Sequence, residues 1–466
     1  MTGVNYSGYF GDKRLESRGQ TLQGRLFRSS SRSIQSLSVS RSEQKAFYLF
    51  LRSNKTTEAK LIKEITQRCS RNVKGRVVLA IQDTSEVNLS SHRNRIKADS
   101  GLGDIDDNKG GIGFKIHPSL VVDAGSCFPL GFSDISIWNR AVDMADKHER
   151  KYNQLPIEQK ESYKWIASGN KTKQCLEEAE AVIIVQDREG DIFEQFFQIP
   201  DEKTFLLIRS RSNRTTVTED KLWDVLGQSE LTGQYETQIP ADNHSKAPAR
   251  NATMEVRCVC VEIKAPQYDK RNKEQTVTLY AVEAKEVNSE TKEPVHWRLL
   301  TTWPVNNYEQ ALTIIEWYSW RWFIEELFRV LKKEGFHIEG SELESGWAIR
   351  KLTVLLLDTI VKLMQMHIAY NEPEQANVPD TNLVFNEQEQ HCLEAIGKGL
   401  EGKTKALQNP YPNKKLNNAV WIIARIGGWK GYKSQRPPGM TTLFNGLRKF
   451  YDVFIGWSLE KDVGTR

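Results

Sequence analysis

Two aspartates stand in matching settings: Asp83 closes VVLAIQD (77–83), and Asp187 follows the aliphatic run of AVIIVQDREGD (181–191), each directly after a glutamine. A continuous aliphatic run of this length reads as a strand buried on both faces, as in parallel sheets. In an open α/β sheet the carboxyl ends of parallel strands line the ligand crevice, so two such strands side by side would present both carboxylates at one place. Adjacent carboxylates repel, and a divalent cation between them relieves the conflict. All-oxygen ligands favour magnesium or manganese. The plainer alternative makes each aspartate an ordinary strand-end turn residue.

A third carboxylate comes from WYSWRWFIEELFRVLKKEG (317–335). Read as one helix at 100° per residue, Arg321, Glu325 and Lys332 fall within about 60° of Tyr318, while Trp320, Phe323, Ile324, Leu327, Val330 and Leu331 gather opposite. An amphipathic helix with a wet side accounts for the charges. A functional stripe accounts also for the Tyr and Arg: Glu325 would complete a metal site with Asp83 and Asp187, Arg321 and Lys332 would clamp phosphates, and Tyr318 would hydrogen-bond or stack.

The elements that must position these residues can be read coarsely. Helices are expected over Arg14 to Phe27 and Glu43 to Cys69, with the serine-rich Ser29 to Ser42 as a polar turn between them. Residues 111–138 read as two or three strands of an antiparallel meander turning at 124–125, and residues 139–160 as charged and irregular. Further helices are expected over Glu161 to Ala181, Glu309 to Glu334, Trp347 to Ala369, Leu416 to Ile426 and Thr442 to Trp457. The two aliphatic strands are expected to be parallel neighbours in a mixed α/β core. Segments 204–212, 254–263 and 276–284 mark 201–300 as a β-rich block.

Charge is unevenly spread. The chain of 466 residues has a net charge of +5, yet residues 1–76 hold 16 Lys and Arg against 5 Asp and Glu, which is +11, leaving −6 for the rest. A basic module on a mildly acidic body suits a polyanion, since each Lys or Arg meeting a phosphate releases counterions; a solvated helical surface is the alternative. Six scattered cysteines form no CxxC pair, and no histidine spacing suggests zinc. The most apolar stretch, Leu352 to Met366, is interrupted by Asp358 and Lys362, so no membrane span is expected. The N-terminus shows no apolar secretory segment, and a place inside the cell is expected.

With these residues in view, the sequence resembles bacterial insertion-sequence transposases of the DDE type, close to the Tn-five transposase group. Their pattern of Tyr, two residues, Arg, three residues, Glu, six residues, Lys matches Tyr318, Arg321, Glu325 and Lys332. Asp83-Thr84 matches the first aspartate's strand end, and Asp187-Arg188-Glu189-Gly190-Asp191 the second's. GDKR (11–14), KESYKW (160–165), IRSR (208–211) and HWRLLTTWPV (296–305) extend the similarity over nearly the whole chain.

The resemblance implies a ribonuclease-H-like mixed sheet core, with a β-rich insertion accounting for the separation of 138 positions (325 minus 187) between Asp187 and Glu325, and helical N- and C-terminal regions. It implies a helical DNA-binding domain over 1–70, a catalytic core over 71–200 and 301–370, the insertion over 201–300 and a dimerisation region over 371–466. Asp83, Asp187 and Glu325 would be catalytic and would bind two Mg2+ or Mn2+ ions. DNA contacts would come from Trp297, stacking on a flipped base, and from Tyr318, Arg321, Lys332, Arg209, Arg211, Lys13 and Arg14. The implied partners are double-stranded DNA (terminal inverted repeats and target DNA) and a second copy of the chain, in the bacterial cytoplasm at the nucleoid. The implied reaction is cut-and-paste transposition through hairpin ends. The alternatives are a nuclease without strand transfer and a non-catalytic DNA-binding repressor derived from such an element.

Overall fold

The computed structural model describes residues 4–29, 31–92, 94, 101–105, 110–140, 155–241, 248–266, 271–289, 291, 293–372, 378–432 and 435–463. Most of the segment expected to be irregular, 141–154, lies outside the described residues.

In chain order, helices α1 (Lys13–Ser29), α2 (Ile34–Leu37), α3 (Arg41–Arg52) and α4 (Glu58–Asn72) precede strands β1 (Val77–Gln82), β2 (Ser85–Asn88), β3 (Gly103–Asp104), β4 (Ile112–Asp123) and β5 (Pro129–Trp138). Then come α5 (Tyr163–Cys175), β6 (Ala181–Gln186), α6 (Gln195–Gln198), β7 (Thr204–Arg209), α7 (Leu222–Gln228), β8 (Gly233–Ile239), β9 (Arg250–Lys264), β10 (Thr276–Val287) and β11 (His296–Thr301). Helices α8 (Tyr308–Ser319), α9 (Trp322–Arg329), α10 (Gly346–Asn371), α11 (Glu387–Leu400), α12 (Leu416–Ile426) and α13 (Met440–Val463) follow. The molecule is mixed α/β, as the alternation of aliphatic runs and helical periods predicts.

The chain divides into two units. One comprises Met1–Lys74, Thr84–Asp146 and Ile324–Arg466, the other Gly75–Asp83 and Lys147–Phe323. In the first, β2, β3 and β5 all pair antiparallel with β4, which is the expected meander with one short extra strand. Helices α4 and α10 pack on β5, and α10 also meets α3, α12 and α13. Helix α10 is long and apolar enough to cross a membrane by length and composition, contrary to the sequence expectation, but 89% of its most apolar window is buried within the protein. It is the core of this unit, and its buried Asp358 is met by side chains rather than by water.

Asp358 of α10 shows how. Arg68 Nη2 lies 2.8 Å from Asp358 Oδ1, and the same guanidinium spans Glu64 with contacts of 3.2 and 3.1 Å. Gln23 Nε2 donates to Asp358 Oδ2 at 3.2 Å. Burial alone would lower the Arg68 pKa; the two carboxylates outweigh it and raise it.

The N-terminal helices depart from expectation. The polar turn contains a helical turn of its own, α2, because Ser33 caps it through the Ser36 N–H. The single helix expected over Glu43 to Cys69 is two, split where Thr56 Oγ1 bonds back to Phe50 O and Thr57 caps α4 through the Lys60 N–H. Hydroxyls that compete for backbone groups favour such breaks.

In the second unit one sheet runs in the order β1-β6-β7-β11-β10-β9-β8. The β1–β6 and β6–β7 pairs are parallel, so the two aliphatic strands are the parallel neighbours their composition predicts. Residues 204–209, grouped by sequence with the β-rich block, are instead the third parallel strand. From β7 onward the pairing is antiparallel. Val78 to Ile81 and Ile183 to Val185 are fully buried, each worth about 1.5–3 kcal/mol of apolar burial for a large side chain.

The helix expected over Glu309 to Glu334 is interrupted. Arg321 N bonds to Tyr318 O at 3.1 Å and Phe323 N to Trp320 O at 2.9 Å, a tight turn that ends α8 and starts α9. A π-helical turn at Val330–Glu334 then widens the spiral. A single helical wheel from Tyr318 to Lys332 therefore does not describe this segment. Tyr318, placed by that wheel on the wet side, is 4% exposed, while Trp322 is 60% exposed.

Replacing Arg68 with Met should strand Glu64 and Asp358 in the core and cost about 3–5 kcal/mol, read as a lower urea midpoint. Combining it with Glu64→Leu and Asp358→Leu should recover most of that loss.

Candidate active site

The register of β1 against β6 pairs Val77 with Ala181 through Ile81 with Val185. Carried on, it sets Gln82 beside Gln186, whose Nε2 donates to Gln82 Oε1 at 2.8 Å within the sheet. One residue further, Asp83 and Asp187 leave the two strands at the same level. Neighbouring strands lie about 4.8 Å apart, so the two residues leave the sheet from adjacent points.

After Asp187 the chain turns sharply. Asp187 Oδ1 accepts the Glu189 N–H at 2.8 Å, and the turn needs Gly190, where a Cβ would lie 2.3 Å from Gln186 Oε1. Asp191 plays a different part: its carboxylate accepts from the Arg211 and Ser212 N–H groups and pairs with the buried Arg214. It ties this turn to the segment after β7.

Arg321 Nη1 donates to Asp83 Oδ2 at 3.2 Å, with both side chains about one-fifth exposed. Tyr318, one turn earlier in the chain, hydrogen-bonds Arg321 and Arg209 through its side chain. Burial pushes the Tyr318 phenol above its usual pKa although both arginines pull it down, so the hydroxyl keeps its proton at neutral pH. Trp297 meets Tyr318 edge to face, with ring centroids 5.2 Å apart, and Arg209 Nη2 donates to His296 O at 3.1 Å. Of the residues singled out by sequence, Asp83, Asp187, Arg209, Tyr318 and Arg321 are thus gathered in one unit, with Trp297 against them.

Four others belong to the other unit. Glu325 sits half-buried in the first turn of α9. Lys332 lies in the π-turn, with Nζ 3.5 Å from both Glu339 Oε1 and Ser85 Oγ. Lys13 and Arg14 are exposed at the start of α1, whose Arg14 N–H is capped by Asp12 at 3.0 Å. Among the described residues no group of three His, Cys, Asp or Glu side chains is arranged to hold a metal ion. The donor set of Asp83 and Asp187 suits one: two carboxylates at a shared level, one of which already draws a cationic side chain.

Sequence reasoning singled out Arg209 and Arg211 but missed the cluster they belong to. Arg188, Arg209, Arg211, Trp223, His296 and Arg298 line a cavity of about 500 Å³. Arg298 lies over the Trp223 ring at 4.5 Å, and Trp223 Nε1 donates to Ser210 Oγ at 3.1 Å. Behind them Glu283 on β10 stands opposite both Arg298 and Arg257 in register, with contacts of 3.3 and 3.9 Å, and meets His296 Nε2 at 2.7 Å. The signal in the sequence was the alternation His296-Trp297-Arg298, which sends the two basic residues to one face and Trp297 to the other.

No family model matches the chain. Among solved structures it is similar to the cryo-EM structure of a piggyBac transposase synaptic complex with hairpin DNA, with a TM-score of 0.38 and 9% identity over 92% of this chain and 89% of that one. At that score no residue correspondence or role carries across.

Burial would raise the Glu283 pKa, but the His296 hydrogen bond and the charges of His296 and Arg298 outweigh it and leave it below the ordinary carboxylate value. A lowered folded pKa stabilises above the unfolded value, near 4.3, and that stability is lost as pH falls through the folded value. Glu283→Gln should therefore lower the urea midpoint at pH 7 and flatten its fall below about pH 4.

Proposed function

We propose that the protein is a DNA-acting phosphodiester-cleaving enzyme and, more finely, a transposase that cuts the ends of its own element and joins them to target DNA. The observation that carries the reading is the register-matched pair Asp83 and Asp187, with Arg321, Tyr318 and Arg209 beside it. Metal-assisted phosphoryl chemistry needs closely spaced oxygen donors, and two carboxylates leaving neighbouring strands at one level can supply them.

On this reading Asp83, Asp187 and Glu325 hold two Mg2+ or Mn2+ ions. When bound, the ions would lower the pKa of an attacking water or 3′ hydroxyl and take up charge on the leaving oxygen. Arg321 is then freed from Asp83 to meet a phosphate, and Tyr318 holds it in place as a neutral hydrogen-bond partner. Lys332 supplies a further positive charge, and Trp297 offers a ring face on which a base can stack. A ribonuclease-H-like core, residues 201–300 as an insertion and a dimer on DNA belong to the same proposal. Lys13 and Arg14, exposed on the basic N-terminal module, meet backbone phosphates.

The test uses plasmid DNA carrying the sequences that flank this reading frame. Asp83→Asn or Asp187→Asn should reduce magnesium-dependent cleavage about a thousandfold or more, equivalent to ~4 kcal/mol in the barrier. Cleavage at the wild-type rate by either variant would refute the assignment. Cleavage without joined products would favour the nuclease reading. A further expectation concerns salt: Lys13→Ala with Arg14→Ala should lower the slope of log affinity against log salt by about two, at ~0.9 per phosphate contact on duplex DNA.

A further inference from the structure

The cavity on the His296 and Arg298 face of β11 is built as an anion site. Among the described residues, four guanidiniums, from Arg188, Arg209, Arg211 and Arg298, line it with His296, and the one carboxylate on its wall, Glu189, is already met by Lys164 at 3.4 Å. Arg209 feels both Arg188 and Arg321 as like charges, a crowding that an anion relieves. Arg298 lies over the Trp223 ring and donates through Nε to Glu283, which leaves its other nitrogens as donors. The volume, about 500 Å³, falls within the roughly 300–1,000 Å³ of small-ligand sites, room for a nucleotide rather than a bare ion. The cavity also starts at the Asp187 turn, since Arg188 follows that residue and the β6–β7 register, carried one step past Gln186 and Ile208, sets Arg209 beside it.

We propose that this cavity holds a backbone phosphate, with its nucleotide, of a DNA strand running away from Asp83 and Asp187. The strand rather than a free anion is the ligand, because the cavity begins at the Asp187 turn and has room for a nucleotide. This assignment rests on the reading of those carboxylates as a DNA-cleaving site.

The probe is a labelled twelve-residue oligothymidylate, titrated by anisotropy with the full-length protein in EDTA over a range of salt. Arg188→Gln with Arg211→Gln changes two exposed side chains and should bind about tenfold more weakly, with a salt slope lower by about one. Arg298→Lys, which keeps the charge but loses the flat stacked fork, should weaken binding severalfold while circular dichroism stays unchanged. Inorganic phosphate at millimolar concentration should not displace the strand. Unchanged affinity and slope in the double variant would overturn the proposal, and so would full displacement by inorganic phosphate. Plasmid cleavage by wild-type and Asp83→Asn protein, run in parallel, reports on the carboxylates alone. Weakened oligonucleotide binding alongside undiminished Asp83→Asn cleavage keeps the pocket and removes the catalytic reading, while the reverse pattern removes the pocket only.

Discussion

Parallel pairing of β1 and β6 forces two carboxylates to one level, and the surroundings of the site answer that electrostatic problem. A one-residue slip would break the packing of side chains buried on both faces of these strands, so Asp83 and Asp187 stay matched as long as Val78 to Ile81 and Ile183 to Val185 stay packed. A cation sits against one of the two carboxylates. Arg321 takes Asp83 directly, and Tyr318, buried beneath Trp297, holds Arg321 and Arg209 in place.

Charge is buried elsewhere by the same rule. Arg68 is shared by Glu64 and Asp358 in the helical unit, Arg214 is spent on Asp191 after the strand-end turn, and Glu283 gathers His296, Arg298 and Arg257 within the sheet. In each case several hydrogen bonds or ion pairs are satisfied together, the condition under which desolvating ions is tolerable. The cationic cavity differs: its guanidiniums outnumber the carboxylates on its wall, which is why it reads as a binding surface rather than as scaffolding.

Several elements were legible without the fold. The span Leu416–Ile426 matched its helix to the residue, because an apolar stripe ends there at two glycines. The strands at 77–82 and 181–186 declared themselves by unbroken aliphatic composition. Other elements were hidden for identifiable reasons. Helix α11 has only Cys392 and Leu393 fully buried among its apolar residues, too weak a stripe to stand out. The break between α8 and α9 leaves no glycine or proline as a marker; it is made by Trp320 and Arg321 closing a tight turn. Helix α10 was expected over Trp347 to Ala369, but the partners of its Asp358 were hidden, since they lie some three hundred residues away.

The sequence by itself determined that two aspartates end buried strands, that a basic segment leads the chain, and that Tyr318, Arg321, Glu325 and Lys332 recur at a set spacing. Residue type and local periodicity are sufficient for that, because they depend on neighbours within a turn or a pleat. Only the tertiary structure decided which strands pair and in which register, that residues 204–209 join the parallel set, that Tyr318 is buried rather than wet, and that Arg188, Trp223 and Arg298 share a cavity. Those outcomes depend on hydrogen bonds and contacts between segments a hundred residues apart, and no local pattern encodes them.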